Sequence, residues 1–316
     1  MGPSAGYRAL REGAAWLDLS GRALIRATGE DRARLLHAMT TNHVQQLQPG
    51  QGCYAFFLNA QGRILADVNL LCFPDHFLLD LEPEVRHGIY THLDKHIIAD
   101  DVTLEDITEQ TAVLGIEGPD SAETLVALGV PLPEAPYAHA PWGTCTVARL
   151  SSTGAPGFRV FAPREEKQDL VARLESAGAV FAGPEAAHTV RLELGRPRYG
   201  EDLTDKYLPQ ETQLLHALHF NKGCYLGQEI VERIRSRGSV HRFLMRLQVD
   251  SAEPPAPGTK IMAGEKEVGE ITSAAFSPAA GKVVALGYLR RDDIHPQSQL
   301  TIGGAAAEIT APRPLD

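Results

Sequence analysis

Lys222-Gly223-Cys224-Tyr225-Leu226-Gly227-Gln228-Glu229 is the stretch on which the reading of this chain turns. Gly223 and Gly227 bracket Cys224 and allow the backbone to turn tightly on either side of the thiol. Ile230, Val231 and Ile234 follow at helical spacing, with Gln228 and Glu229 placed for a first turn, so a helix is predicted to start here. A thiol just ahead of a helix N-terminus feels the partial positive charge of unpaired backbone N–H groups. Lys222 adds a full charge two residues away. Both favour the thiolate, the form that attacks and ligates. A cysteine in an arbitrary setting is more often a small buried hydrophobe, and the glycines, the lysine and the helix start set Cys224 apart from that default.

The octapeptide resembles the K-G-C-Y-x-G-Q-E signature of the YgfZ family, folate-binding relatives of the glycine-cleavage aminomethyltransferase implicated in iron–sulfur protein maturation. Further landmarks resemble the same family. They are Gly29-Glu30-Asp31 through Leu35, Leu36 and Thr41-Asn42 for its early helix, Gly62-Arg63 through Asp67 for the strand after its first hairpin, then Arg191-Leu192-Glu193-Leu194-Gly195 and Pro209-Gln210-Glu211. The landmarks run in the family's order from about residue 15 to about residue 310. The resemblance implies an α+β fold: an aminomethyltransferase-like folate-binding body of related α+β subdomains over residues 1–238, and a small C-terminal β-barrel over 239–316. It implies tetrahydrofolate or a one-carbon derivative as cofactor, and iron–sulfur assembly or client proteins as partners.

Composition agrees with a multidomain, enzyme-like chain. Its 316 residues exceed what one hydrophobic core usually serves. Thirty Lys+Arg against 40 Asp+Glu give a net charge of −10, which argues against DNA or general nucleic-acid binding. No apolar run approaches the ~20 residues that span a bilayer, so no membrane partner is expected. Met1-Gly2-Pro3-Ser4 lacks a signal-peptide core. Cys53, Cys72, Cys145 and Cys224 are widely spaced, which suits neither a zinc knuckle nor a disulfide framework and fits a reducing cytoplasm. A cytoplasmic monomer is the expectation.

Along the chain, Ala23–Ala27, Gly52–Leu58, Ile64–Phe73 and Phe77–Leu81 read as strands, and Val85, Ile89, Leu93 and Ile97 as one helix stripe. A second such unit follows: strands at Ala112–Ile116, Cys145–Leu150 and Phe158–Phe161, and a helix face at Leu170, Val171 and Leu174. Two related α+β halves are suggested. Beyond Gly238, Phe243, Met245, Leu247 and Val249 alternate strictly, and Pro- and Gly-rich turns separate further short strands. That is the pattern of a small barrel.

Several patterns can be set aside. No glycine-rich nucleotide cradle occurs. His92 and His96 can share a helix face, but no third ligand lies nearby in sequence, so no metal site is assigned. For a pterin, a carboxylate that accepts two adjacent N–H groups is the natural partner. Glu193 is the candidate, as the resemblance also implies. Arg233, Arg235, Arg237, Arg242 and Arg246 form a basic cluster suited to folate's anionic tail. Tyr54, Asp67, Tyr225 and Gln228 complete the candidate folate contacts, and Cys224, Lys222 and Asp67 the candidate reactive groups. The aminomethyltransferases carry two adjacent acids in the stretch matching Gly62-Arg63-Ile64-Leu65-Ala66-Asp67, and Ala66 stands at the first of them. A methyl group relays no proton. The resulting expectation is a folate-binding accessory factor for iron–sulfur enzymes acting through Cys224, with a folate-dependent aminomethyltransferase or demethylase as the alternative.

Overall fold

Branched and aromatic runs become strands here, and four-residue apolar spacings become helices laid over them. The computed structural model describes residues 3–238, 240–294 and 299–310. Helix α1 (Ala5–Glu12) and strands β1 (Ala15–Asp18) and β2 (Ala23–Thr28) lead into α2 (Arg32–Met39), β3 (Gly52–Leu58), β4 (Ile64–Cys72), β5 (Phe77–Leu81), α3 (Arg86–Asp94) and β6 (Thr103–Asp106). Next come β7 (Thr111–Glu117), α4 (Ser121–Ala127), β8 (His139–Trp142), β9 (Cys145–Ala148), β10 (Gly157–Pro163), α5 (Lys167–Ser176), β11 (Val180–Phe181) and α6 (Pro184–Glu193). After α7 (Gln228–Arg237) come the strands β12 (Arg242–Val249), β13 (Lys260–Ala263), β14 (Lys266–Ser277), β15 (Lys282–Arg290), β16 (Leu300–Ile302) and β17 (Ala305–Thr310), with one 3-10 turn at Arg291–Asp293.

These strands make a five-stranded sheet in the order β3-β4-β5-β2-β6, a six-stranded sheet β11-β1-β7-β10-β9-β8, and a closed barrel β12-β15-β14-β13-β16-β17. The fold is α+β with a C-terminal barrel, as the sequence led us to expect. The two halves are not sequential, however. Strand β1 precedes the whole first sheet in the chain yet pairs with β7 and β11 of the second, so the first sheet is an insertion between β1 and β7. Short-range patterning could not reveal this, because pairing partners about a hundred residues apart leave no local periodicity. Helix α3 ends at Asp94, so Ile97 packs on the core from the following turn rather than from the helix.

Each sheet is buried on both faces. Leu36, Met39, Ile89 and Leu93 of α2 and α3 cover one face of the first sheet, and Leu125, Leu170 and Leu174 of α4 and α5 cover one face of the second. The other faces meet each other. Leu24, Leu71 and Leu78 interdigitate with Val113, Ala148 and Phe161, each large side chain contributing about 1.5–3 kcal/mol by leaving water. The barrel closes over its own core of Leu247, Ile261, Val283 and Leu289. Its outer face presents Leu244, Leu286 and Tyr288 to Phe56, Leu58 and Ile64 of the first sheet. Among the described residues no helix is long and apolar enough to cross a membrane.

Candidate functional site

A cavity of about 1130 Å³ opens where the two sheets, α6 and the barrel converge, slightly above the roughly 300–1,000 Å³ usual for small-molecule sites. Strand β4 aims its side chains alternately into two environments. Ala66, Val68 and Leu70 face the helix-covered core, whereas Asp67 and Asn69 line the cavity. This overturns the significance given to Ala66. An acid at that position would sit among Leu36 and Phe57 and could not reach the cavity, and Asp67 is the carboxylate that the strand presents to it.

Asp67 is held by the hydroxyl of Tyr54, which donates to Oδ2 at 2.8 Å. Its Oδ1 is sealed from solvent and has no partner among the described residues. Desolvation, followed by the charge of Glu82, raises its pKa, while Tyr54, Arg22 and Arg196 pull the other way. The Tyr54 ring forms the centre of an aromatic group: Tyr137 stacks at 6.4 Å between centroids, His216 at 5.4 Å, and the Arg196 guanidinium lies 5.5 Å from the ring centre. Tyr137 holds a left-handed backbone with φ 63°. Such a conformation is costly for an aromatic residue and collects at functional sites.

The cavity wall is rich in arginine, and most of that charge is spent. Arg22 pairs with Asp80 and Glu82, Arg159 with Asp80, Arg191 with Glu201 and Asp202, and Arg198 with Glu82, Glu84 and Glu201. Asp202 also accepts from Ser273 at 2.6 Å and from Thr272, and its carbonyl accepts from Tyr288 at 3.0 Å, which ties the cavity floor to the barrel. The sequence reading missed this network. Arg196-Pro197-Arg198 was its visible trace, and the partners that reveal its meaning come from distant segments.

The expected basic cluster disperses. Arg233 is exposed on α7. Arg235 pairs with Glu232 at 3.5 Å, Arg242 with Glu211 at 2.9 Å, and Arg246 donates to the Glu193 carbonyl at 2.7 Å. The side chain of Arg237 lies outside the described residues. Glu193 is not in the cavity wall. Its Oε1 accepts from the hydroxyls of Tyr7 (2.5 Å) and Ser277 (2.6 Å), and Arg11 approaches Oε2 at 3.4 Å. It therefore pins α1 and the barrel to the end of α6. Burial and this carboxylate push the Tyr7 phenol up to about 12.

Cys224 is the exposed member of the four cysteines, on a loop outside the cavity wall. Gly227 caps α7 with φ 83°, and a Cβ there would meet the Asn59 carbonyl at 2.6 Å, so the loop lies directly on the β3–β4 turn. Tyr225 is half-buried in the seam with the barrel, and its N–H donates to Gln228 Oε1 at 3.1 Å. Gln228 thus fastens the loop from the helix side. Lys222 does not serve the thiol as expected. Its ammonium turns inward and donates to the carbonyls of His37, Thr40 and Asn42, satisfying the open C-terminal end of α2. Beside it the rings of His37 and His43 (4.6 Å) and of His43 and His219 (5.0 Å) pack edge to face. Lys222→Met is expected to lower stability by about 1–3 kcal/mol through the orphaned carbonyls. Urea unfolding measures it, and limited proteolysis should show earlier cutting at 222–228.

With this geometry in place, similarity assigns the chain to a class. Residues 3–222 match the GCVT N-terminal domain, and residues 242–313 match the glycine cleavage T-protein C-terminal barrel domain. The chain belongs to the glycine cleavage T-protein family. It is 31% identical over 301 residues to an aminomethyltransferase of Rubrobacter xylanophilus, covering 91% of this chain and 79% of that one. It is 28% identical over 313 residues to a protein of Arabidopsis thaliana named as a chloroplastic transferase, covering 97% and 72%. The crystal structure of the glycine cleavage system aminomethyltransferase T of Bartonella henselae superposes with a TM-score of 0.88 at 22% identity, over 97% of this chain and 88% of that one.

Proposed function

We propose that this chain is a tetrahydrofolate-binding accessory protein for the assembly or repair of iron–sulfur enzymes, acting through Cys224 of the KGCYLGQE loop. The observation that carries this reading is the separation of the thiol from the cavity. Cys224 is exposed on a surface loop that Lys222, Gln228 and Gly227 hold rigidly in place. A thiol aimed at a small molecule belongs inside the cavity, whereas one presented to solvent on a fixed loop can reach an iron or sulfur centre carried by another protein. Ligation of such iron requires the thiolate.

The cavity residues fit a reduced folate. The volume accommodates a pterin with its side chain, and Asp67 Oδ1 is an acceptor still lacking a donor among the described residues. Bound there, folate would supply a one-carbon unit or its acceptor. Asp67 would hold a ring or amine proton, and the closed packing of the two sheets would limit water.

The alternative, a folate-dependent aminomethyltransferase or demethylase, is favoured by one specific observation. Asp67 faces the cavity with its pKa raised by desolvation, which supports a proton-accepting role there. One comparison separates the two readings. Cys224→Ser is expected to bind tetrahydrofolate in calorimetry as the unaltered protein does, yet fail to restore iron–sulfur enzyme activities in cells depleted of this protein. Full restoration by Cys224→Ser would remove the thiol from the function. Turnover of an aminomethyl-loaded carrier with tetrahydrofolate would establish the transferase instead.

A further inference from the structure

We propose that His37, His43 and His219, packed beneath the KGCYLGQE loop, form an acid-operated latch: their protonation parts the loop from the end of α2 and frees Cys224 from its fixed position. The inference adds regulation to the proposed thiol site and rests on that reading only for its consequence.

The loop is fastened to the end of α2 across one seam. The His219 N–H donates to the Thr41 carbonyl and the Leu226 N–H to the Ala38 carbonyl, each at 3.0 Å, and Lys222 holds the carbonyls of His37, Thr40 and Asn42. The imidazoles lie in this seam. His37 and His43 come from the α2 side and His219 from the loop side, with His43 packed against both others. His37 is 7% exposed, and a Cβ on Gly223 would stand 3.6 Å from its Nε2. The Nδ1 atoms of all three rings are sealed from solvent and lack a partner among the described residues.

The groups facing the rings offer no counter-charge. Lys222 is itself a cation. Beside it lie the Tyr225 ring, 4.7 Å from the ammonium, and the Cys53 thiol of β3, which burial pushes up to about 12 and so keeps neutral. Among the described residues the histidine–carboxylate pairs lie elsewhere, at His76 and His188. An imidazolium donates from both nitrogens. A proton taken up here would therefore leave a buried N–H without an acceptor, beside an ammonium that already occupies three carbonyls. Burial first, then the charges of Lys222, His43 and His219, hold the His37 pKa down to about 4, and burial and His219 lower that of His43. In the opened loop the imidazoles face water and titrate near ~6.5. A folded-state value below the open one adds stability that is full above ~6.5 and is lost as pH falls towards about 4, because the open state takes up the protons. One ring lies across the seam from the other two, so the repulsion separates the loop from α2.

The test compares amide exchange of the full-length protein, corrected for intrinsic rates, at about pH 7.5 and about pH 5. Opening at residues 219–226 should rise about tenfold or more at the lower pH, since each released imidazole contributes up to about tenfold per pH unit below ~6.5. Barrel strands β12 and β15 should keep their protection. His43→Phe removes the central charge and keeps a flat ring, and it should cut the rise about threefold or more. His216, whose ring stacks on Tyr54 instead, is the control, and His216→Phe should leave the rise intact. Equal loop protection of the unaltered protein at the two pH values overturns the proposal whether or not a variant folds. So does a rise that survives undiminished in His43→Phe or vanishes in His216→Phe. Cys224→Ser keeps all three histidines and should show the same rise. Restoration of iron–sulfur enzyme activities by Cys224→Ser would count against the thiol reading and leave the latch standing, whereas an absent rise counts against the latch alone.

Discussion

Replacing Asp80 with alanine is expected to lower the unfolding free energy by about 3–5 kcal/mol, the cost of leaving buried cations without their counterion. Asp80 is fully buried between the two sheets. It accepts from Arg22, just before β2 of the first sheet, and from Arg159 of the second, and Asn69 donates to it at 3.1 Å. Arg159, itself 2% exposed, would keep no carboxylate partner within ion-pair distance among the described residues. Burial acts to raise the Asp80 pKa, but the charges of Arg159 and Arg22 outweigh it and the net shift is downward. A folded-state pKa held below the unfolded value of ~3.9 adds stability that is fully present above that pH and is lost as pH falls through the folded value. The gap between the parent protein and Asp80→Ala should therefore be constant from neutral pH down to about 4 and close below it. Guanidinium unfolding at a series of pH values measures both the size and the window. A gap under 1 kcal/mol at neutral pH would mean that the arginines find water or other partners.

Gly227→Val is expected to cost about 1–3 kcal/mol for a branched residue held at φ 83°, and overpacking adds about 1–3 kcal/mol more. The added Cβ would come within 2.6 Å of the Asn59 carbonyl and 3.0 Å of Leu58 Cβ. Relief requires the loop to lift from the β3–β4 turn, which carries Cys224 and the start of α7 with it. Hydrogen exchange should quicken at residues 224–231 while the barrel and the second sheet keep their protection. Uniform quickening throughout the chain would show that this contact supports global folding rather than placement of the thiol loop.

Sequence by itself determined the class of fold and much of its content. The Gly52–Leu58 run is β3, the Phe77–Leu81 run is β5, and the helix read from Ile230, Val231 and Ile234 is α7. Side chains two apart on a strand or four apart on a helix share a face whatever lies elsewhere, so those patterns are locally complete. The alternation at Phe243–Val249 likewise announced β12 of the barrel. The KGCYLGQE loop could be read as a turn ahead of a helix, because positive φ at Gly227 is a property of that residue alone. The tertiary structure decided where each functional group points. Whether Ala66 or Asp67 faces the cavity depends on which side of β4 the helices cover. Lys222 lies two residues from Cys224 in the chain, yet its charge is drawn to three carbonyls contributed by residues 37–42. Glu193 is directed by Tyr7 and Ser277, and Arg196 is laid over the Tyr54 ring. Electrostatic roles are set by partners within a few ångströms in space, and those partners are drawn from segments that no local spacing connects.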